Sequence, residues 1–569
     1  MGNCDCLRPT PTAYPNRLDS PEPFRPKLPC RWWVVAALVL AALMPRAVLA
    51  VRTPAVCPDG ALYIQLAQAL DRGDYRAGFE EVRLNTYPVI LVLLHRLGFD
   101  WETGGKWWSV LAGTLVVLPL YGWTRRQFDE QIGVIAAILY AFHGALIEWT
   151  PEVLRDPTFW LFFTLALYFG WRAAAEVRFG WYAAAGLAAT LAVLTRTEGL
   201  ILLVPLGLWS FWRHAALTDG RHRVVSGFAL CLAVGPALIV AANVAWLRHH
   251  DRWELWRTKP FEMVGQWFHS AGQRPAAVPS AVSGSVLEVP APKSTGQLAW
   301  SFLNTLERGL TPVFGVVLVT GAWRWRRVWW RRDQQPLFFA ALALAAGIWI
   351  QIWYTQSPSF RYALPIVLLQ GVFAALATRG MAARVRDWTR RWGFSLRWQR
   401  AVAFTPLAII ALVGLADSLT RNYDQRQRSL GLGRWLHQRY PGATIVTTCD
   451  SWLRVAAYYG RARTVPFYEQ STPDDVAALV ERSHPDLVLL PRDRVAPRCL
   501  AELTRRFERL GYRPLAEPAD GGVAPDLVTL AYGPPRDAAV AADSPDASRR
   551  LATLPRLPPR LGRRELSRQ

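Results

Sequence analysis

Long apolar runs recur along most of this chain, and short clusters of arginine and tryptophan separate them. About 20 mostly apolar residues suffice to cross a bilayer core as a helix. Runs at 32–51, 107–123, 131–148, 157–174, 180–195, 198–212, 224–246, 306–323, 336–353, 361–378 and 402–420 therefore predict about eleven spans. The 569 residues are 52% hydrophobic yet carry a formal net charge of +22. A soluble protein does not combine these two numbers, whereas a multi-spanning one does, with tryptophans at the interfaces and arginines in the loops. Nucleic acid is excluded as a partner because the basic residues are spread over many loops and form no single face or stripe.

The loops also orient the chain. Arg25, Lys27 and Arg31 precede the first run, which places the N-terminal tail 1–30 in the cytoplasm. Counting onward, "WTRRQ", "WRAAAEVR", "RHAALTDGRHR", "WRWRRVWWRR" and "RGMAARVRDWTRRWGFSLRWQR" all fall on the same side, and all five are basic. Residues 52–106, 148–156, 248–305, 354–360 and 421 onward are left on the far side, in the arrangement of a bacterial inner membrane protein. The segment "YPVILVLLHRLG" is too short to span and is assigned to the membrane surface. No cleavable signal is evident, so the first run reads as a signal anchor. "MGNCDC" lacks the hydroxyl residue of a myristoylation signal.

The transmembrane region is thus 31–420. Beyond it, residues 421–535 alternate helical patterns ("GRWLHQRYPG", "SWLRVAAYYG", "TPDDVAALVERS", "CLAELTRRFERLG") with short strands ("ATIVTT", "PDLVLLP", "DLVTLAY"). This predicts a small extracytoplasmic α/β domain with a mostly parallel sheet. Residues 536–569, rich in Pro, Arg, Ala and Ser, predict a disordered basic tail. The fold class is mainly α: a polytopic helical membrane protein with a C-terminal soluble α/β domain. Of seven cysteines, only Cys449 and Cys499 share the soluble domain, as a disulfide or as free thiols. Asp450 follows a strand and reads as a helix cap or a ligand contact.

Carboxylates at membrane depth are costly unless solvated, paired or used. Asp59 lies just beyond the first span, with Tyr63 one helical turn later. In "EWTPEVLRDPTFW", Glu152 and Asp156 have the same spacing. Both acids fall on the far side, as do Arg46 inside the first span, Arg196 and Glu198 in "LTRTEGL", and Arg361 and Tyr362 in "PSFRYALP". Snorkelling accounts for single arginines near helix ends. Several on the side that positive-inside statistics disfavour suit an anion such as phosphate. His249, His250 and Asp251 are adjacent and cannot converge as helical ligands would, and His269 lies apart. No metal site is assigned.

In order and spacing, these motifs resemble the GT-C membrane glycosyltransferases, in particular the protein O-mannosyltransferases and lipid A aminoarabinose transferases. "PDGALYIQLAQALDRGDY" is similar to their first-loop motif, an acid followed by Tyr and an amphipathic helix. "YPVILVLLHRLGFDWETGGKWWSVLAGTLVVLPLYGWTRRQF" resembles their surface helix and next span. "EVLRDPTFWLFFTLALYF" resembles their second acidic loop, "LTRTEGLILLVPLGLW" their basic turn, and "RYALPIVLL" their late Arg-Tyr span. The resemblance covers roughly 31–380. It departs at Gly60, where relatives have the second residue of an Asp-Glu pair, at Asp156, where many have Glu, and at Tyr87-Pro88, in place of Pro-Pro.

The resemblance implies a sugar transferred from a polyprenyl-phosphate donor to a hydroxyl on a lipid, glycan or protein acceptor. It implies Asp59 as general base, Asp156 orienting the acceptor or the base, and Arg196 and Arg361 on the phosphate with Arg46 as a third contact. Tyr63, Glu152 and Tyr362 complete the substrate-binding set. The leaving group is a stabilised phosphate, so a divalent metal is possible but not required. A flippase or transporter of lipid-linked sugars is the alternative. It predicts inverted repeats and broken helices, and the sequence displays neither. A non-catalytic scaffold predicts that Asp59 and Asp156 tolerate substitution.

Overall fold

A proline lies at the start of the later helix at each break in the apolar runs. The run 107–123 is two helices, Trp101–Leu115 and Val117–Gln127, and 198–212 is a 3-10 turn, Thr197–Leu202, before the helix Leu203–Ala216. The run 361–378 begins as the 3-10 turn Phe360–Ala363 and continues as Leu364–Arg391. The run 402–420 divides into Leu396–Ala403 and Thr405–Leu419. In each case a proline (Pro119, Pro205, Pro365, Pro406) lies in the first turn of the later helix, where its missing N–H costs nothing. The run 306–323 breaks most sharply. Thr295–Leu310 and Pro312–Arg324 meet at 95°, with Thr311 at φ 59° between them. A broken helix is therefore present, contrary to the sequence reading.

This computed structural model describes residues 32–80, 85–247, 294–355, 359–420, 423–448, 451–467, 471–492, 494–515 and 527–532. Both terminal tails, most of the loop 248–305 with its histidines, Cys449 and Asp450 lie outside them. Among the described residues, five helical stretches are long and apolar enough to cross a membrane, or six if the bent pair is one span. Several of the predicted runs are each divided between two helical segments. Apolar helices such as Glu130–Ala141 and Phe179–Thr195 are shorter than a bilayer core requires.

The described chain forms two compact units, divided between Tyr423 and Asp424. In the helical unit, Arg155–Glu176 is the central element. Its Phe159, Trp160 and Phe163 are buried in one large core with Leu364, Phe373 and Leu376 of the helix Leu364–Arg391. In the second unit, five strands are ordered β2-β1-β3-β5-β4: β1 Thr444–Thr448, β2 Arg463–Phe467, β3 Leu487–Pro491, β4 Tyr512–Pro514 and β5 Leu527–Tyr532. β1 pairs in parallel with β2 and β3, but β5 is antiparallel to both β3 and β4. The sheet is therefore mixed and not mostly parallel. The crossover from β3 to β4 skips one position, and β5 returns antiparallel to fill it. Strands β2 and β4, absent from the sequence reading, are short edge strands, and each contains a proline.

Candidate active site

The first loop is shaped by a helix cap. Cys57 accepts a hydrogen bond on Sγ from the Gly60 N–H, and Pro58 opens the helix Pro58–Asp71. Asp59 falls in its first turn, where the helix dipole favours a negative charge. Tyr63 is one turn on and buried; its ring meets the edge of Tyr87 at 5.4 Å. A second segment presses against this turn. A Cβ on Gly60 would come within 2.9 Å of the Val153 carbonyl oxygen. The glycine that departs from the family's acidic pair is thus where two backbones touch.

Val153 belongs to the approach to the helix Arg155–Glu176, which carries Asp156 in its first turn. Glu152 is buried but precedes this helix, so it does not share a helical face with Asp156 as the spacing predicted. The reason is Pro157. A helix running through Glu152 would need the Pro157 N–H, so the helix starts only two residues before it.

Two arginines join these acids. Arg196, the extended residue that ends Phe179–Thr195, donates from Nη1 to Asp156 Oδ1 and from Nη2 to Glu198 Oε1 at 2.6 Å. Arg361 donates from Nη1 to Asp59 Oδ2 at 2.9 Å and lies 3.9 Å from Asp156 Oδ2. The result is a chain of alternating charges, Asp59, Arg361, Asp156, Arg196, Glu198. Aromatic rings frame it. Arg196 stacks over Tyr362 at 4.8 Å, Arg361 over Trp149 at 5.0 Å, and Arg155 over Tyr63 at 5.8 Å.

Burial divides the network into a fixed part and a labile part. The Asp156 and Arg196 side chains are 2% and 6% exposed, whereas those of Asp59 and Arg361 are 40% and 24% exposed. Breaking a buried pair costs about 3–5 kcal/mol, while an exposed one contributes about 0–1. Arg361 can therefore exchange Asp59 for another anion at little cost, and Asp156 stays held. Among the described residues, no three His, Cys, Asp or Glu converge on a metal site.

Of the residues proposed from sequence, Asp59, Tyr63, Asp156, Arg196, Arg361 and Tyr362 converge. Arg46 does not. It is fully buried and donates from Nη1 to the carbonyls of Ala42 at 2.8 Å and Ala141 at 2.9 Å. Its guanidinium caps the end of the helix Glu130–Ala141, whose last carbonyls lack helical partners. Trp149 and Arg155 escaped the sequence reading, although both sit inside the quoted acidic motif. Asn85 was also missed. It caps the helix Thr86–Arg96 and donates from Nδ2 to the Thr195 carbonyl at 3.1 Å, tying the surface helix to the residue before Arg196.

Residues 86–246 match the family described as dolichyl-phosphate-mannose-protein mannosyltransferase. No curated protein matches the chain by sequence. In three dimensions the chain resembles ArnT from Cupriavidus metallidurans in the apo state, with TM-score 0.55 and 15% identity over 88% of this chain and 97% of that one. The fold is that of the GT-C glycosyltransferases. ArnT bound to undecaprenyl phosphate aligns similarly, at TM-score 0.54 and 14% identity over 88% and 98% of the two chains. The oligosaccharyltransferase of Archaeoglobus fulgidus, in complex with Zn and sulfate, shares the GT-C fold at TM-score 0.52 and 14% identity, over 80% of this chain and 68% of that one. The family match takes in Asp156 and Arg196 but neither Asp59 nor Arg361.

Proposed function

We propose that this chain is a GT-C glycosyltransferase that moves a sugar from a polyprenyl-phosphate carrier to an acceptor hydroxyl on the extracytoplasmic side, with inversion. The observation that carries this reading is Arg361, shared between an exposed Asp59 and a buried Asp156. While paired to Arg361, the Asp59 carboxylate is occupied by a guanidinium N–H at Oδ2. A donor phosphate arriving at Arg361 displaces it and leaves Asp59 free to take a proton. The acceptor oxygen then attacks the anomeric carbon from the face opposite the phosphate and loses its proton to Asp59. The bond from the anomeric carbon to the phosphate oxygen breaks, and the departing polyprenyl phosphate keeps the electron pair. Arg361 stabilises the charge that develops there, and Arg196 supports it from behind through Asp156. Asp156 is buried against Arg196 with Arg361 at 3.9 Å, so its task is to hold the two arginines in place.

That ArnT, a protein of the same fold, has been solved with undecaprenyl phosphate supports the choice of donor class. Among the described residues, the 95° bend at Thr311 is the sharpest of the helix breaks that a flippase would predict. It lies among Leu139, Phe142, His143, Phe314 and Asp417, and none of the network's charges line it.

Two substitutions test the proposal in reconstituted membranes. Asp59→Asn should lower turnover by about 10²–10⁴-fold while the donor is still bound. Arg361→Ala should raise the KM for the donor more than that for the acceptor. Normal turnover and an unchanged pH profile in Asp59→Asn would remove Asp59 as the base.

A further inference from the structure

The helix that begins beside Arg361 ends in a surface that the proposed chemistry does not use. Leu364–Arg391 has 28 residues, about 42 Å at 1.5 Å per residue. That equals the thickness of a bilayer with its headgroups, so its far end lies at the opposite membrane face. Up to Thr378 the helix is largely buried, and beyond it Ala383 and Thr389 are its buried positions. Arg379 pairs with Asp129 at 2.5 Å, and Gly380 abuts the Trp325 ring. From Arg384 it emerges. Gly393, at φ 73°, stops it, and a second short helix, Leu396–Ala403, turns away.

This elbow combines two properties. Trp388, Trp392, Phe394, Leu396, Trp398 and Phe404 are exposed, Trp392 by 68%. Interleaved with them, residues 384–400 contain six arginines against one aspartate, Asp387. Arg384, Arg386, Arg390, Arg391, Arg397 and Arg400 make no ion pair with a described residue. Exposed tryptophans beside exposed arginines match a leaflet surface, where indole rings settle at headgroup level and each arginine attracts anionic lipid. We propose that residues 384–404 form a docking surface for anionic phospholipid headgroups in the leaflet opposite the ion-pair network. Because Arg361 and the elbow lie at the two ends of one helical segment, lipid held at the elbow fixes the register of that segment in the membrane.

Native mass spectrometry of the full-length protein in detergent, titrated separately with phosphatidylglycerol and phosphatidylcholine, tests this. The wild type should retain phosphatidylglycerol in preference. Arg390→Gln with Arg391→Gln should cut that retention at least about fivefold. Arg397→Gln with Arg400→Gln, which leaves the long helix untouched, should do the same. Arg221→Gln with Arg223→Gln, an equal loss of exposed charge elsewhere, should leave it unchanged. Equal retention of the two lipids by the wild type would overturn the proposal and assign the surface to an acidic protein partner. Equal losses in all three variants would also overturn it, since general electrostatics would then explain the binding.

Discussion

Gly60 separates a positional from a chemical explanation of the first loop. In a helix interior with open space, Gly→Ala stabilises by about 0.5–1 kcal/mol. Here the added Cβ would meet the Val153 oxygen at 2.9 Å and the Val153 Cβ at 3.1 Å. Overpacking of this kind costs about 1–3 kcal/mol, so Gly60→Ala should lower the melting temperature. It should also lower turnover by at least about tenfold, because it pushes apart the two loops whose acids share Arg361. A higher melting temperature would mean that the contact is loose. Arg46 makes the complementary case. As a helix cap, Arg46→Met should destabilise the protein by about 1–3 kcal/mol and leave the KM for the donor unaltered in the protein that folds. A raised donor KM at full stability would return Arg46 to the phosphate site.

At the scale of elements, caps and prolines set the boundaries that position side chains. Pro157 delays one helix until Asp156 is in its first turn, and Cys57 with Pro58 does the same for Asp59. In the second unit, Thr472 and Asp475 cap the helix Pro473–Ser483 reciprocally, with Thr472 N–H to Asp475 Oδ2 at 2.8 Å and Asp475 N–H to Thr472 Oγ1 at 3.2 Å. The Thr472 N–H and hydroxyl hold the Asp475 carboxyl below its ordinary range. A depressed folded pKa stabilises above the unfolded value of about 4 and is lost as pH falls through the folded one. Thr472→Ala should therefore cost about 1 kcal/mol at neutral pH. The loss should be visible as faster amide exchange along Pro473–Ser483, and the difference from wild type should shrink below pH 4.

For the whole molecule, the long helix Leu364–Arg391 implies sidedness. In sealed vesicles with one orientation, trypsin should cut among Arg384, Arg386, Arg390, Arg391, Arg397 and Arg400 or in the first loop at Arg72 and Arg96, and never in both. Peptides from both regions released by the same intact vesicles would refute the assignment of the network and the elbow to opposite faces.

The sequence by itself determined that the chain is a polytopic helical protein with a small α/β unit, because apolar period and charge segregation are local properties of the chain. It also supplied the residues of the network, since buried charges stand out against apolar surroundings. Only the tertiary structure decided how they pair. Asp59 and Arg361 are 302 residues apart, and nothing local distinguishes Arg361 from Arg46, which has the same chemistry but caps a helix. Tertiary packing likewise decided that β5 enters the sheet antiparallel and that several apolar runs bend. A run's hydrophobicity gives its preference for lipid or core, whereas its neighbours' shapes determine whether it stays straight.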